Sequence, residues 1–127
     1  MQTAWLVFAG GGIGAVIRHM VNQVVTRLIG SPFPWGVMLI NISGSFIMGL
    51  AAAFFAFKAD ATWSQPIRLF ITTGILGGYT TFSAFSLDVA LLWERGEPMQ
   101  ALLYVLGSVV LSVLGLFAGL TLVRVIT

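Results

Sequence analysis

The chain has 127 residues, 58% of them hydrophobic and only 8% charged, and it carries no cysteine. Such a composition fits an integral membrane protein with no room for a soluble domain, and the lack of cysteine excludes disulfides and thiolate metal sites. Six basic residues against four acidic ones give a net charge of +2, which provides no basic stripe for binding nucleic acid.

One membrane crossing needs about 20 apolar residues. Four such stretches, at 5–25, 35–57, 67–92 and 99–125, cover nearly the whole chain, so residues 1–127 read as a single all-α transmembrane domain. The first stretch is not a cleavable signal, because it lacks a basic leading region and three more spans follow it. It holds Gly10 and Gly14 one turn apart. Gly10-x-Gly12-x-x-Ala15 imitates a dinucleotide fingerprint but has no βαβ context to support it. Arg18 and His19 fall near its end. Arg18 either snorkels to the interface or faces a vestibule, and His19 is interfacial.

The second stretch places Asn41 at mid-span, between Ile40 and Ile42. Its amide can bond a neighbouring helix or present two N–H donors to an anion, and the pattern leaves both open. Ser45, Gly49 and Ala53 share one face, a spacing that lets helix backbones approach closely.

The third stretch is the most unusual. Its string ITTGILGGYTTFSAFS, residues 71–86, puts four threonines, three glycines and two serines inside a membrane span. Gly77-Gly78 followed by Tyr79-Thr80-Thr81 is poor helix material and predicts a broken helix. Phe82 and Phe85 adjoin the break, and their ring edges carry partial positive charge suited to an anion path. Carbonyls freed at a break suit a cation such as Na⁺, so the break admits ion roles of opposite sign. Asp88, one turn further on, is the only acid within a span.

On the fourth stretch Tyr104, Ser108 and Ser112 recur every fourth residue, placing three hydroxyls on one face. Gly115 and Gly119 read as packing positions. Trp5, Trp35, Trp63 and Trp93 lie at span ends, where an aromatic belt accounts for them. With four spans, Lys58, Arg68 and Arg124 share one side and Arg27 and Arg95 the other, joined by Arg18 if it reaches that interface. This near balance hardly selects an orientation and predicts insertion both ways. Four helices also leave little protein to enclose a pathway, which predicts a homodimer, antiparallel if both orientations insert.

These motifs resemble the CrcB/Fluc family of fluoride channels along essentially the whole chain. The resemblance is carried by GGGIGAVIRH at 10–19, PWG…NISG at 34–44, TTGILGGYTTFSAFS at 72–86, and the stripe Tyr104, Ser108 and Ser112. It implies an antiparallel, dual-topology homodimer in the lipid bilayer, with two fluoride pathways. Asn41, Phe82, Ser83, Phe85, Tyr104, Ser108 and Ser112 take the pathway positions, and Arg18 matches a vestibule arginine. A structural Na⁺ at the dimer centre is implied, held by the backbone carbonyls of Gly77 and Thr80. The implied role is passive fluoride efflux that relieves cytoplasmic fluoride toxicity, through the inner (plasma) membrane of a prokaryote. Two departures thin the polar lining: Ala84 stands where the family usually has Ser or Thr, and Val37 where threonine is frequent.

The chemistry agrees with an anion path, since stripping water from a small anion requires fixed donors in its place. Fluoride over chloride follows from the resemblance alone. The alternative is a small multidrug-type four-helix antiporter, which needs a titratable acid in the first span and an aromatic cage for its cation; both are missing. One histidine, four acids and no cysteine leave no nucleophile–base pair for an enzyme.

Overall fold

Lipid offers backbone groups no hydrogen bonds, so an apolar chain of this kind has to satisfy them within helices. The computed structural model describes residues 2–126, and among these there is no strand. The elements are α1 (Gln2–Ile29), α2 (Trp35–Phe57), α3 (Ser64–Arg68), a π-helical segment (Leu69–Leu76), α4 (Gly77–Tyr79), α5 (Phe82–Glu94) and α6 (Pro98–Ile126). From α3 to α5 the chain forms one interrupted span, giving four apolar crossings: Thr3–Ile29, Trp35–Phe57, Ser64–Glu94 and Pro98–Ile126. The first runs further than its hydropathy indicated. Arg18 and His19 therefore lie well inside α1 and not near its end. Arg68 closes α3.

Helix ends follow local chemistry. Gly30 (φ 63°) follows α1 and donates its N–H to Thr26 O at 2.9 Å. Gly96 (φ 77°) closes α5, with Gly96 N–H on Trp93 O at 3.1 Å and Glu97 N–H on Leu92 O at 3.0 Å. This is the paired-bond glycine cap, in which only a residue free to take positive φ fits without strain. Pro98 then opens α6, where its missing N–H leaves no helical bond unmade.

The glycines bring the helices together. A Cβ on Gly10 would lie 2.6 Å from Phe70 O and 2.9 Å from Gly74 Cα, so α1 meets the π-helical segment backbone to backbone. Gly78 rests on Gly11 in the same way. Gly49 lies against the carbonyl of Leu116, and Gly119 against that of Phe46, which seats α2 on α6. Met38, Phe85, Leu92, Ala101 and Tyr104 form the core between α2, α5 and α6, and Val37 packs against it. That apolar neighbourhood accounts for valine at position 37. The outward face is apolar as well: Trp5 is 73% exposed and Phe82 78%, as expected of helices whose solvent is lipid.

Packing at this distance leaves no space for a branch. Gly49→Leu should lower stability by about 1–3 kcal/mol or more through overpacking, seen as a lower melting temperature in detergent or loss of monodisperse protein. Gly12, where a Cβ meets nothing within 4 Å, should accept Ala without loss. Equal behaviour of the two variants would contradict the packing assignment.

Candidate functional site

The third span stops being helical at Thr80 and Thr81, whose backbones are extended (φ −83°, ψ 157° and φ −151°, ψ 125°). The glycine pair is not where it breaks. Gly77 is right-handed helical (φ −62°, ψ −38°), and a Cβ there would meet nothing nearer than Thr72 O at 3.7 Å. The break falls on the β-branched threonines, whereas Gly78 serves close packing against α1.

A break inside a membrane span leaves backbone groups that lipid cannot satisfy. One side chain meets two of them. Asn41 Nδ2 donates to Thr81 O at 2.9 Å, and Asn41 Oδ1 accepts from Thr81 N–H at 2.9 Å. The planar amide thus pairs with the peptide groups of Thr81 in both directions, tying α2 to the break. Thr81 in turn caps α5, its hydroxyl accepting from Ala84 N–H at 3.1 Å, the usual service of threonine at a helix start. Residue 84 therefore contributes its backbone to this cap. On the other flank Thr80 turns back on the helix, its N–H and its Oγ1 both donating to Leu76 O at 3.0 Å. Ser43 Oγ donates to Ile40 O at 3.1 Å and lies 2.9 Å from Tyr79 Oη, so the tyrosine is the donor in that second bond.

Beside the break lies a cavity of about 300 Å³. Asn41 and Ser45 of α2, Thr80 and Thr81, Phe82 and Phe85 of α5, and Ser108 and Ser112 of α6 all line it. Four donors there have no partner among the described residues: the hydroxyls of Ser45, Ser108 and Ser112, the last two buried, and the second N–H of Asn41. Buried polar groups are normally hydrogen-bonded, so such a set marks a place prepared for an acceptor. None of the lining residues is acidic. The rings of Phe82 and Phe85 lie 5.6 Å apart at 47°. Phe85 is buried and packs 5.0 Å from the Tyr104 ring, whereas Phe82 is exposed at the open side.

Five of the eight anticipated pathway residues meet at this cavity: Asn41, Phe82, Phe85, Ser108 and Ser112. The other three do not line it. Tyr104 is fully buried below it, and its hydroxyl donates to Asp88 Oδ2 at 3.0 Å. Ser83 is exposed, with its Oγ 3.4 Å from Thr81 Oγ1. Arg18 is half-buried on α1, which contributes no residue to the wall. Thr81 is the functional residue that sequence reading missed. The signal was there, a threonine set three residues before a helical N–H at the head of an apolar run.

Among the described residues no three His, Asp or Glu side chains cluster as metal ligands. Backbone oxygens are another matter. Because the Thr81 N–H goes to Asn41, it does not reach Gly77 O, and no backbone N–H of the described residues donates to the carbonyls of Gly77 or Thr80. Unsatisfied carbonyls at an unwound span are the donor set that suits a hard monovalent cation, so these two positions fit such an ion.

The family model described as CrcB-like protein, Camphor Resistance (CrcB), matches residues 5–120. The chain belongs to this family. It is 62% identical over 122 residues to the fluoride-specific ion channel FluC 2 of Nitrobacter hamburgensis, covering 96% of this chain and 97% of that protein. To the fluoride-specific ion channel FluC of Rhodopseudomonas palustris it is 61% identical over 126 residues, covering 99% and 100%. The FluC protein of Mesorhizobium japonicum shares 56% over 119 residues, 94% of each chain. The CrcB-like assignment thus extends over both the interrupted span and the helices that enclose its cavity.

The Asn41 bridge should be worth measuring directly. Asn41→Ala leaves the N–H and carbonyl of Thr81 without partners, at a cost of about 1–3 kcal/mol for each group, read as a lower midpoint of thermal unfolding in detergent. Ser108→Ala and Ser112→Ala should leave that midpoint unchanged, because neither hydroxyl has a partner to lose. A stable Asn41→Ala protein would show that the amide does not hold the break.

Proposed function

We propose that this chain is a fluoride-selective channel through which fluoride leaves the cell passively, lowering its cytoplasmic concentration. The observation that carries the reading is the cavity at the break, where partnerless donors gather and no acid lines the wall, in a chain closely similar along its length to proteins named fluoride-specific ion channels. A fluoride ion gives up hydration only where fixed donors replace it. The Asn41 N–H and the hydroxyls of Ser108 and Ser112 supply donors, and the edges of Phe82 and Phe85 supply weak positive charge without the tight hold of a lysine or arginine. Ions pass because no single contact binds them strongly.

The antiporter alternative has no support here. Proton exchange needs a titratable group on the path, and no residue lining the cavity is acidic or basic. The relatives are named as channels, and neither they nor the site suggests an enzyme.

We read the working unit as an antiparallel homodimer formed from chains inserted in both orientations, in the inner membrane of a bacterium. Support comes from the near balance of basic residues across the two sides and from Phe82, 78% exposed although it lines the cavity. The carbonyls of Gly77 and Thr80 are the groups that would hold a structural Na⁺ between the subunits. Bound there, such an ion would supply a fixed positive charge to these carbonyls. Arg18, Ser83 and Tyr104 then act outside the donor-lined cavity, Arg18 at the approach to it.

The test is efflux from proteoliposomes loaded with potassium fluoride or potassium chloride, with valinomycin as the counter-ion pathway. Fluoride should be released and chloride retained, with no pH gradient required. Comparable chloride release, or a strict need for a pH gradient, would contradict the channel reading.

A further inference from the structure

The cavity at the break does not cross the membrane by itself. Along α2 its wall runs from Asn41 to Met48, about 10 Å at ~1.5 Å per residue, against a hydrocarbon core of about 30 Å. A second cavity, of about 390 Å³, takes up where the first ends, because Met48 lines both. From Met48 it follows α2 past Ala52, Phe55 and Ala56 to Ala59, beyond the helix end. The two cavities in series follow α2 from Asn41 to its end at Phe57, roughly 24 Å and most of the hydrocarbon thickness.

The opposite wall of this second cavity is Arg68 and Thr72. Arg68 is its one charged lining residue. Its Nε and Nη2 donate to Gln65 Oε1 at 3.3 and 2.9 Å, which fixes the guanidinium, and among the described residues no carboxylate bonds it. The charge is thus held in place and left uncompensated beside apolar walls, an arrangement that focuses field into a cleft and raises the local concentration of anions.

We propose that the second cavity is the far mouth of the anion path, and that Arg68 is the group that concentrates fluoride there. Met48 is the junction between the charged mouth and the donor-lined cavity. The proposal rests on the fluoride reading above and adds to it an entrance, a charge and a direction along α2. Arg68 acts at a distance through its charge and is not a ligand of the ion in the Asn41 cavity.

The experiment compares Arg68→Gln with the unmodified chain in vesicles of phosphatidylcholine alone, measuring initial fluoride efflux at two ionic strengths set by an impermeant salt. Glutamine can still pair with Gln65 but lacks the charge. At ~10 mM, where the Debye length is about 30 Å, Arg68→Gln should slow efflux roughly three- to fivefold, the effect of one unit charge at close range in water. At ~1 M, where screening acts within about 3 Å, the two rates should converge. Arg68→Lys should recover most of the low-salt rate. Equal rates at low salt would overturn the proposal, as would a deficit of the same size at both salts, which marks a structural role. A deficit that arises only when anionic lipid is added would also overturn it, identifying Arg68 as a lipid-headgroup site. If the unmodified chain itself passes no fluoride, the channel reading falls and the role of Arg68 falls with it, an outcome distinct from any change confined to the variant.

Discussion

The reciprocal pairing of the Asn41 amide with the peptide groups of Thr81 is the interaction on which the rest of this structure depends. A membrane span can be interrupted only where something replaces its lost backbone hydrogen bonds. Asn41 does so from a neighbouring helix, with two bonds of 2.9 Å. Three consequences follow from that one contact. The carbonyl of Gly77 is left without its helical partner, α5 starts afresh with Thr81 as its cap, and Phe82 and Phe85 are set in the wall of a cavity that the amide also lines. The same residue ties the chain and still has one N–H to offer an ion.

Around this point the packing is nearly rigid by composition. Glycines at 10, 49, 78 and 119 let α1 and α6 approach the π-helical segment, α4 and α2 to backbone distance. Bilayers provide little hydrophobic drive between helices, so close backbone contact has to supply the association. A π-helical stretch leading into the break is consistent with this, since π segments widen a helix locally and recur at functional sites. The hydroxyls of Thr72 and Thr80, which a lipid-facing helix could not leave free, donate to Arg68 O and Leu76 O at 2.7 and 3.0 Å. Three threonines of the third span, Thr72, Thr80 and Thr81, thus serve its own backbone. The partnerless donors that face the cavity lie on α2 and α6, at Asn41, Ser45, Ser108 and Ser112.

Much of this was legible beforehand, for definite reasons. Hydropathy located four spans because lipid imposes the same length on every crossing, and the periodicity of the fourth helix put Ser108 and Ser112 on a shared face. Tyr104 has the same periodicity but faces the core, where Asp88 takes its hydroxyl. Periodicity assigns a face, and only tertiary structure says what that face meets. The break was anticipated over residues 77–81 and falls at the far end of that stretch, on its β-branched residues. Glycine is unfavourable in helices in general, yet Gly77 is helical and the interruption falls on Thr80 and Thr81, because it is Asn41 that determines where an interruption can be satisfied. That determination is a contact between residues forty positions apart and cannot be read from local propensity. Arg68 looked like a charge that sets orientation, since nothing in its neighbours along the chain announces the cavity formed with α2.

The central claim is that the Asn41 side chain, and not solvent or a continuing helix, satisfies the peptide groups of Thr81. Hydrogen–deuterium exchange at the Thr81 amide, followed by NMR of the protein in lipid bicelles, tests it most directly. The account predicts slow exchange at Thr81 in the unmodified chain and rapid exchange in Asn41→Ala, with protection in the middle of α6 unchanged. Rapid exchange at Thr81 in the unmodified chain, or protection that survives the substitution, would contradict it.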